Sequence, residues 1–428
     1  MKRVFLLVVT CISACIAGMN QLTAQDYCSM PRFDQTAFDS AEIQVISDIV
    51  YGSGINRAGE LETLHLDIYR PMPELDTLLK KPCVFFVHGG GLVGGSKSST
   101  GAVTTGYLHA EAGFVYVSID YRLGWDNGND STHCGGDTID MFTAIYRAVQ
   151  DTKAAYRFIK ENADVYGIDT NYIIAEGNSA GSMLVLLALY GVQDDYYANF
   201  ANELGYLDSA DNSLFGHDFD PIATITEAAG LPDPNIVYRK DVPGFYFHGT
   251  CDPIVPYFSG PAYSCFDPYP YPTFYGSYPI VQLLKAVGRS YYFYTGEGAG
   301  HDVAIPDTIF SYAKGFIKDV FCDKLHSAEY YRITGKHICS IENGGALYLQ
   351  NIYPNPVSDH LVLEVSSTVI SDVHITVFNM NGQVVYDQIA GFYPPLRSYV
   401  LSTVTFPDGM YLVRIEQGKD VYVNKFVK

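Results

Sequence analysis

The sequence predicts an α/β fold, a mostly parallel sheet with helices on both faces, followed by a small all-β sandwich. Three observations predict it. Strand-like and helix-like runs alternate from about residue 40 to 325, the pattern of a parallel sheet whose crossover helices cover both sides. After Lys324 that alternation stops, and short apolar–polar runs separated by turn signals take over, as in antiparallel strands with one buried face. A hydrophobic content of 48% and a charged content of 17% over 428 residues supply apolar surface for more than one core.

The elements follow in chain order. Lys2 and Arg3 precede an apolar stretch, Val4 to Ala17, and Leu22-Thr23-Ala24 places a small residue ahead of Gln25. Residues 1–24 therefore read as a signal peptide, since the apolar stretch is too short for a comfortable membrane span. Ile12-Ser13-Ala14-Cys15 leaves a lipoprotein cleavage box as the alternative. No later stretch has transmembrane character. Strands are expected at Leu64–Tyr69, Cys83–Val87, Phe114–Ile119, Tyr172–Ala175, Ile222–Thr226, Phe245–Phe247 and Tyr291–Tyr294, with helices at Asp140–Asn162, Ala180–Tyr190, Ile280–Val287 and Ile309–Val320. This gives an α/β domain over 25–326 and a polar, glycine-bearing linker over 327–345. The tail, 346–428, alternates at Leu361–Val365, His374–Phe378 and Tyr411–Ile415, with turns at Asn381-Gly382 and Pro407-Asp408-Gly409.

A formal charge of −20 repels nucleic acid and anionic surfaces and fits a secreted enzyme acting on neutral substrates. Beyond the leader the cysteines are Cys28, Cys83, Cys134, Cys251, Cys265, Cys322 and Cys339. Export permits disulfides, and the odd number leaves at least one thiol free. Cys83 sits in a core strand and is the candidate for it; the sequence-near pairs are Cys251–Cys265 and Cys322–Cys339, although connectivity does not follow from sequence. No Cys/His spacing resembles a zinc site, and no cofactor motif is present.

Two motifs carry chemistry. Gly177-Asn178-Ser179-Ala180-Gly181 has the form G-x-S-x-G, and His88-Gly89-Gly90-Gly91 follows the apolar run Cys83–Val87. A serine hydroxyl is a poor nucleophile unless it is exposed and touched by a base. A tight strand-to-helix turn exposes it, and only small neighbours fit around such a turn. The amide of Ala180 then points at the site from a helix N-terminus. Glycines without Cβ let backbone N–H groups approach a substrate oxygen closely. Both motifs fall at carboxyl ends of strands, where ligands of such sheets bind.

A serine needs a base, and the base needs an orienting acid. Of 11 histidines, position selects His301, after Tyr291–Tyr294 and the small residues Gly298-Ala299-Gly300. Asp252 follows the apolar strand Phe245–Phe247 in the loop His248–Pro256. The order serine, acid, histidine is the one implied by the resemblance to α/β-hydrolases that these residues carry. Asp302 and His248 are the runners-up, and His248 is expected in strand-end packing below the site.

With these residues in hand, about 60–325 resembles the α/β-hydrolase family. Within it the chain is similar to the carboxylesterases, the hormone-sensitive-lipase-like enzymes and the feruloyl or acetylxylan esterases. The matching residues are 88–91, Asp120-Tyr121-Arg122-Leu123, 177–181, 248–256 and 298–301. The resemblance implies an oxyanion hole formed by the amides of Gly89, Gly90 and Ala180, and ester hydrolysis without a cofactor or metal. Some feruloyl esterases flank the nucleophile and the histidine with cysteines; Asn178 and Asp302 stand there in this chain. The tail resembles the type A sorting domain of the type IX secretion system, through Tyr353-Pro354-Asn355-Pro356, Asn379–Gly382, Gly409–Val413 and Lys425–Lys428. That implies export from a bacterium, with the type IX machinery as partner. A carbohydrate-binding sandwich is the alternative for the tail. For the whole chain the substrate is expected to be a small or polymer-linked ester, with esters of plant polysaccharides among the possibilities; the alternatives are a serine exopeptidase and a non-catalytic surface-binding module.

Two stretches stay open. Residues 257–279 hold six tyrosines, three phenylalanines and five prolines, which suits either an aromatic platform or lid over the site or a stiffened surface excursion. Trp125–Asp130 suits a plain polar loop, a pocket border or a weak calcium site.

Overall fold

The computed structural model describes residues 26–428, apart from 129–132, 209–217, 266–270, 304–305, 334–346, 368–371, 393–395 and 419. The expected signal peptide lies outside the described residues. Among the described residues, twelve strands precede the tail: β1 (Ile43–Ile55), β2 (Leu61–Pro71), β3 (Lys81–Val87), β4 (Val115–Ile119), β5 (Ile168–Asn178), β6 (Ala223–Glu227), β7 (Gly230–Leu231), β8 (Gly244–Gly249), β9 (Ser259–Pro261), β10 (Thr273–Gly276), β11 (Tyr291–Glu297) and β12 (Ala328–Ile333). A 9-stranded sheet runs β1-β2-β4-β3-β5-β6-β8-β11-β12. Its first three strands pair antiparallel and all later pairs are parallel. The principal helices are α1 (Thr100–Glu111), α2 (Thr138–Glu161), α3 (Ala180–Tyr190), α4 (Ser277–Ala286) and α5 (Pro306–Phe321).

The central strands read as unbroken apolar runs because both faces are covered. Every residue of β3, β4 and β8 is buried. Alternate residues of β3 serve different cores, as a period of two demands. Cys83, Phe85 and Val87 pack with α2 and α3, whereas Val84 and Phe86 pack with α1 and α5. Helix α3 is apolar all round and buried along its whole length, so it lies under the site rather than on the surface.

Several elements differ from expectation. β1 escapes the sequence because its exposed and buried residues alternate irregularly around two register shifts. Helix α1, with glycines and three threonines in Thr100–Glu111, has weak intrinsic propensity and forms because it packs on β2 and β4. The stretch expected as a linker begins with β12, an edge strand pairing with β11; there Tyr330 packs on Tyr312 with ring centroids 4.3 Å apart while Tyr331 faces solvent.

The expected disulfide pairs are not formed. Cys265 bonds Cys134 and Cys322 bonds Cys28, with Cα–Cα distances of 5.4 and 4.8 Å. Pairing follows that proximity and not nearness in sequence. Cys251 is disulfide-bonded, Cys339 lies outside the described residues, and Cys83 is a buried free thiol.

The tail forms a sandwich: strands β13 (Leu347–Tyr353), β14 (His360–Ser367) and β17 (Leu396–Ser402) make one sheet, while β15 (Val373–Asn379), β16 (Val384–Ala390), β18 (Met410–Gln417) and β19 (Asp420–Val427) make the other. On β14, Leu361, Leu363 and Val365 fill the sandwich core, whereas Val362 belongs to the core of the α/β part. Glu364, also on that outward face, is fully buried. It accepts hydrogen bonds from Asn351 at 2.8 Å, from the Tyr353 hydroxyl at 2.9 Å, and from the Ser259 hydroxyl on β9. Tyr353 packs on Tyr275 of β10, with centroids 4.3 Å apart.

Candidate active site

Ser179 sits between β5 and α3 at φ 53° and ψ −122°, a sparsely populated conformation that the surroundings must enforce. A Cβ on Gly181 would lie 2.0 Å from the Val87 carbonyl oxygen, so the helix can start this close to β3 only with glycine there. The Ser179 N–H donates to the Glu227 carbonyl at 2.8 Å, and the Ser182 hydroxyl lies 2.7 Å from the same oxygen. The end of β6 therefore holds the turn.

The glycine run leaves β3 and crosses in front of Ser179. Gly90 has φ +113°, and a Cβ there would come 2.1 Å from the Gly94 oxygen. Behind the run, Tyr121 donates its hydroxyl to the His88 carbonyl at 2.9 Å and stacks on the His88 ring at 4.3 Å. Among the described residues, the N–H groups of Gly89 and Gly90 have no backbone acceptor. Ala180 opens α3, where first-turn N–H groups have no intrahelical partner.

Asp252 follows β8 and His301 follows β11. The Ser179 hydroxyl lies 2.8 Å from His301 Nε2, and His301 Nδ1 lies 2.7 Å from Asp252 Oδ2. With the proton on Nδ1, the hydroxyl donates to Nε2 and the ring donates to the carboxylate. Asp252 Oδ1 accepts from the N–H groups of Ile254 and Val255 at 2.8 and 3.0 Å. Burial alone would raise the Asp252 carboxyl, but the hydrogen bonds and charges of His248 and His301 overcome it and hold the group well below the usual carboxylate range. Burial likewise works to lower the His301 pKa; the hydrogen bond and charge of Asp252, reinforced by Glu227 and Asp302, outweigh it and leave the imidazole above its ordinary value. His248 sits under the site, 3.1 Å from Asp252 Oδ2 and 2.9 Å from Ser277 Oγ. Asp302 is exposed and lines a cavity beside His301.

Two cavities meet at Ser179. One, of about 60 Å³, is apolar, with Leu92, Trp125, Met141, Ile145 and Phe274 in its wall. The other, of about 390 Å³, is wider and more polar, bordered by Gly89, Gly90, Glu227, His301 and Asp302. Tyr263 borders both. The described parts of 257–279 thus form a wall: β9 and β10 pair with β7 in a small sheet, Phe274 lines the apolar cavity, and Tyr275 meets the tail sandwich. The Cys134–Cys265 disulfide joins this wall to the loop after Trp125, and Tyr271 reinforces the joint by donating to the His133 carbonyl at 2.6 Å. In that loop Asp126 is engaged by Arg57 at 3.4 Å. Among the described residues, no group of His, Cys, Asp or Glu is arranged to hold a metal ion.

Sequence reasoning missed Glu227; it offered Trp125 as a pocket border among other readings, and Tyr263 only within the aromatic stretch 257–279. Glu227 had a usable signal, since an acidic residue closing the strand Ala223–Glu227 is out of place in a core.

Comparison with known proteins agrees with this architecture. Residues 66–214 match the BD-FAE family, and 351–428 match the secretion system C-terminal sorting domain. Carboxylesterase 3B of Mus musculus is 33% identical over 127 residues, covering 29% of this chain and 20% of the mouse protein. Esterase E4 of Myzus persicae is 31% identical over 144 residues, covering 32% of this chain and 23% of its own length. The chain thus spans about a fifth of the length of such curated relatives. Among solved structures, a truncated carbohydrate esterase from gut microbiota aligns over 67% of this chain and 100% of its own, at 16% identity and a TM-score of 0.47. Thermogutta terrifontis esterase 2 aligns over 68% of this chain and 98% of its own, at 20% identity and a TM-score of 0.43. The sorting domain marks the chain as a type IX secreted or cell-surface protein of a bacterium. By these matches, the chain is similar over residues 66–214 to the BD-FAE family and over 351–428 to the secretion system C-terminal sorting domain.

Proposed function

We propose that this chain is a secreted serine esterase that cleaves carboxylic esters through an acyl-enzyme, with Ser179 as nucleophile, His301 as general base and Asp252 as orienting acid. The observation that carries this reading is the continuous hydrogen-bond chain from Asp252 through His301 to Ser179, 2.7 and 2.8 Å long, at the junction of two cavities. Ser179 Oγ attacks the ester carbonyl while its proton passes to His301 Nε2. The oxyanion accepts hydrogen bonds from the amides of Gly89, Gly90 and Ala180, each worth roughly 10²–10³ in rate. The tetrahedral adduct collapses, His301 gives the proton to the departing alcohol, and water repeats the sequence on the acyl-enzyme. The sorting domain takes the enzyme to the type IX machinery, so the ester is met outside the cell.

The small apolar cavity seats the acyl group and the wide polar one seats the alcohol. A volume of about 60 Å³ admits only a short chain, given that one water-sized sphere takes roughly 10–15 Å³. The kcat/KM values of p-nitrophenyl esters should therefore fall steeply from butyrate to decanoate; a flat or rising series would count against this seating. Turnover needs neutral His301, whose pKa is raised. The acid limb of kcat/KM should accordingly have its midpoint above the ordinary histidine value of about 6.5, with a midpoint below it as the contrary result. The reading as a whole is tested by treating the protein with a fluorophosphonate and mapping the adduct. It predicts modification at Ser179 and turnover of esters in preference to peptides; an unmodified Ser179 would overturn it.

A further inference from the structure

Glu227 has no part in the mechanism above, yet it touches both of its moving parts. Its carbonyl oxygen accepts the Ser179 N–H at 2.8 Å and receives the Ser182 hydroxyl at 2.7 Å. Its carboxyl Oε1 accepts the N–H of Val303, two residues beyond His301, at 3.4 Å, and it lines the polar cavity together with His301 and Asp302. We propose, on the basis of the esterase reading, that Glu227 is a positioning residue for the Ser179–His301 pair, its main chain fixing the nucleophile's turn and its carboxyl fixing the His301 loop and stabilising the imidazolium.

The physical argument concerns charge. His301 becomes a cation when it takes the serine proton, and a second negative group in the same partly desolvated cavity favours that state. The titratable groups facing Glu227 are His301, Asp302 and Glu176, the last paired with His109 at 2.9 Å. The rest of the adjoining cavity's wall, which includes Phe86, Thr104, Asn178, Ile225 and Phe310, is not titratable. Burial pushes the Glu227 carboxyl up to about 7, against the pull of the Val303 N–H and of His301. The group therefore ionises in the range where the base is being freed.

Three variants of the full chain test this, read by the pH dependence of Ser179 modification by a fluorophosphonate and by kcat and KM on p-nitrophenyl acetate. Glu227→Gln keeps a hydrogen-bond acceptor and loses the charge. Its acid limb should move to lower pH by about one unit or less, and its plateau kcat should fall by up to about tenfold with KM little changed. Glu227→Ala loses both and should fall further. Glu227→Asp, which keeps the charge, should hold its limb at the wild-type position, and it carries the test if the other two fail to fold. A Gln limb and kcat equal to wild type, a change confined to KM, or an Asp limb displaced like that of Gln would overturn the proposal. A wild-type protein that is not modified at Ser179 would overturn the esterase reading along with it, whereas modification with an unmoved limb would overturn this proposal alone.

Discussion

Ser179→Ala is expected to lower kcat on p-nitrophenyl acetate by about a million-fold while leaving the thermal midpoint near that of the wild type. The hydroxyl points at His301 and borders both cavities, so its removal opens no void in the core. Alanine meets the same φ of 53° that serine tolerates, and the turn remains held by the Ser179 N–H bond to Glu227, which is a main-chain contact. Asp252→Asn should cost less, about 10⁴ in kcat, and for a visible reason. Both Asp252 oxygens act as acceptors, from His301, His248, Ile254 and Val255. An asparagine NH₂ would have to face at least one of these donors, turning an attraction into a repulsion and disturbing the His301 tautomer. Because the residues act as one unit, combining the two changes should cost no more than Ser179→Ala alone. A Ser179→Ala protein with more than about a hundredth of wild-type turnover would sink the assignment.

Much of this was legible in the sequence because local physics decides it. The Gly177–Gly181 turn can be recognised from five residues, since only one strand-to-helix geometry needs glycine on both sides of an alanine-backed serine. The strands β3, β4, β5, β6, β8 and β11 were legible as apolar runs, which follows from burial on both faces. What escaped depends on contacts between distant segments. Cys134 and Cys265 are 131 residues apart and meet only because two loops close over one cavity. Trp125 heads a polar run, Asp126-Asn127-Gly128-Asn129-Asp130, and is buried against Tyr263 and Tyr271 of the distant 257–279 wall. Tyr263 takes φ +56°, a strain no local preference announces. β12 follows a charged turn and is recruited by an open sheet edge, so its own composition says little.

A second large effect concerns stability and lies behind the glycine run. Arg122 is buried against fully buried Asp151, with Nη2 2.7 Å from Oδ1, Nε 2.8 Å from Oδ2, and the Arg122 N–H 2.8 Å from Oδ2. The guanidinium also donates to the carbonyls of Ile55 and Arg147 and to Gln150. This pair pins the 120–124 turn, from which Tyr121 props His88 and the Gly124 N–H reaches the Leu92 carbonyl at 2.8 Å. Asp151→Ala would leave a buried cation without its counter-ion, a change that typically costs about 3–5 kcal/mol. At about 2–4 °C per kcal/mol for a unit of this size, the midpoint of the α/β part should fall by roughly 6–20 °C. Activity should decline too, because the glycine run loses its backing. The double change Arg122→Met with Asp151→Leu removes both charges, and most of the lost stability should return, since apolar replacement of a buried pair is often neutral or better. Activity should return less fully, as the carbonyls of Ile55 and Arg147 would lose their donor and the turn would regain packing without its former register. If Asp151→Ala melts within a degree or two of wild type, the pair is not the pin it is taken to be; if the double variant melts no higher than Asp151→Ala, the loss arises from packing and not from the stranded charge.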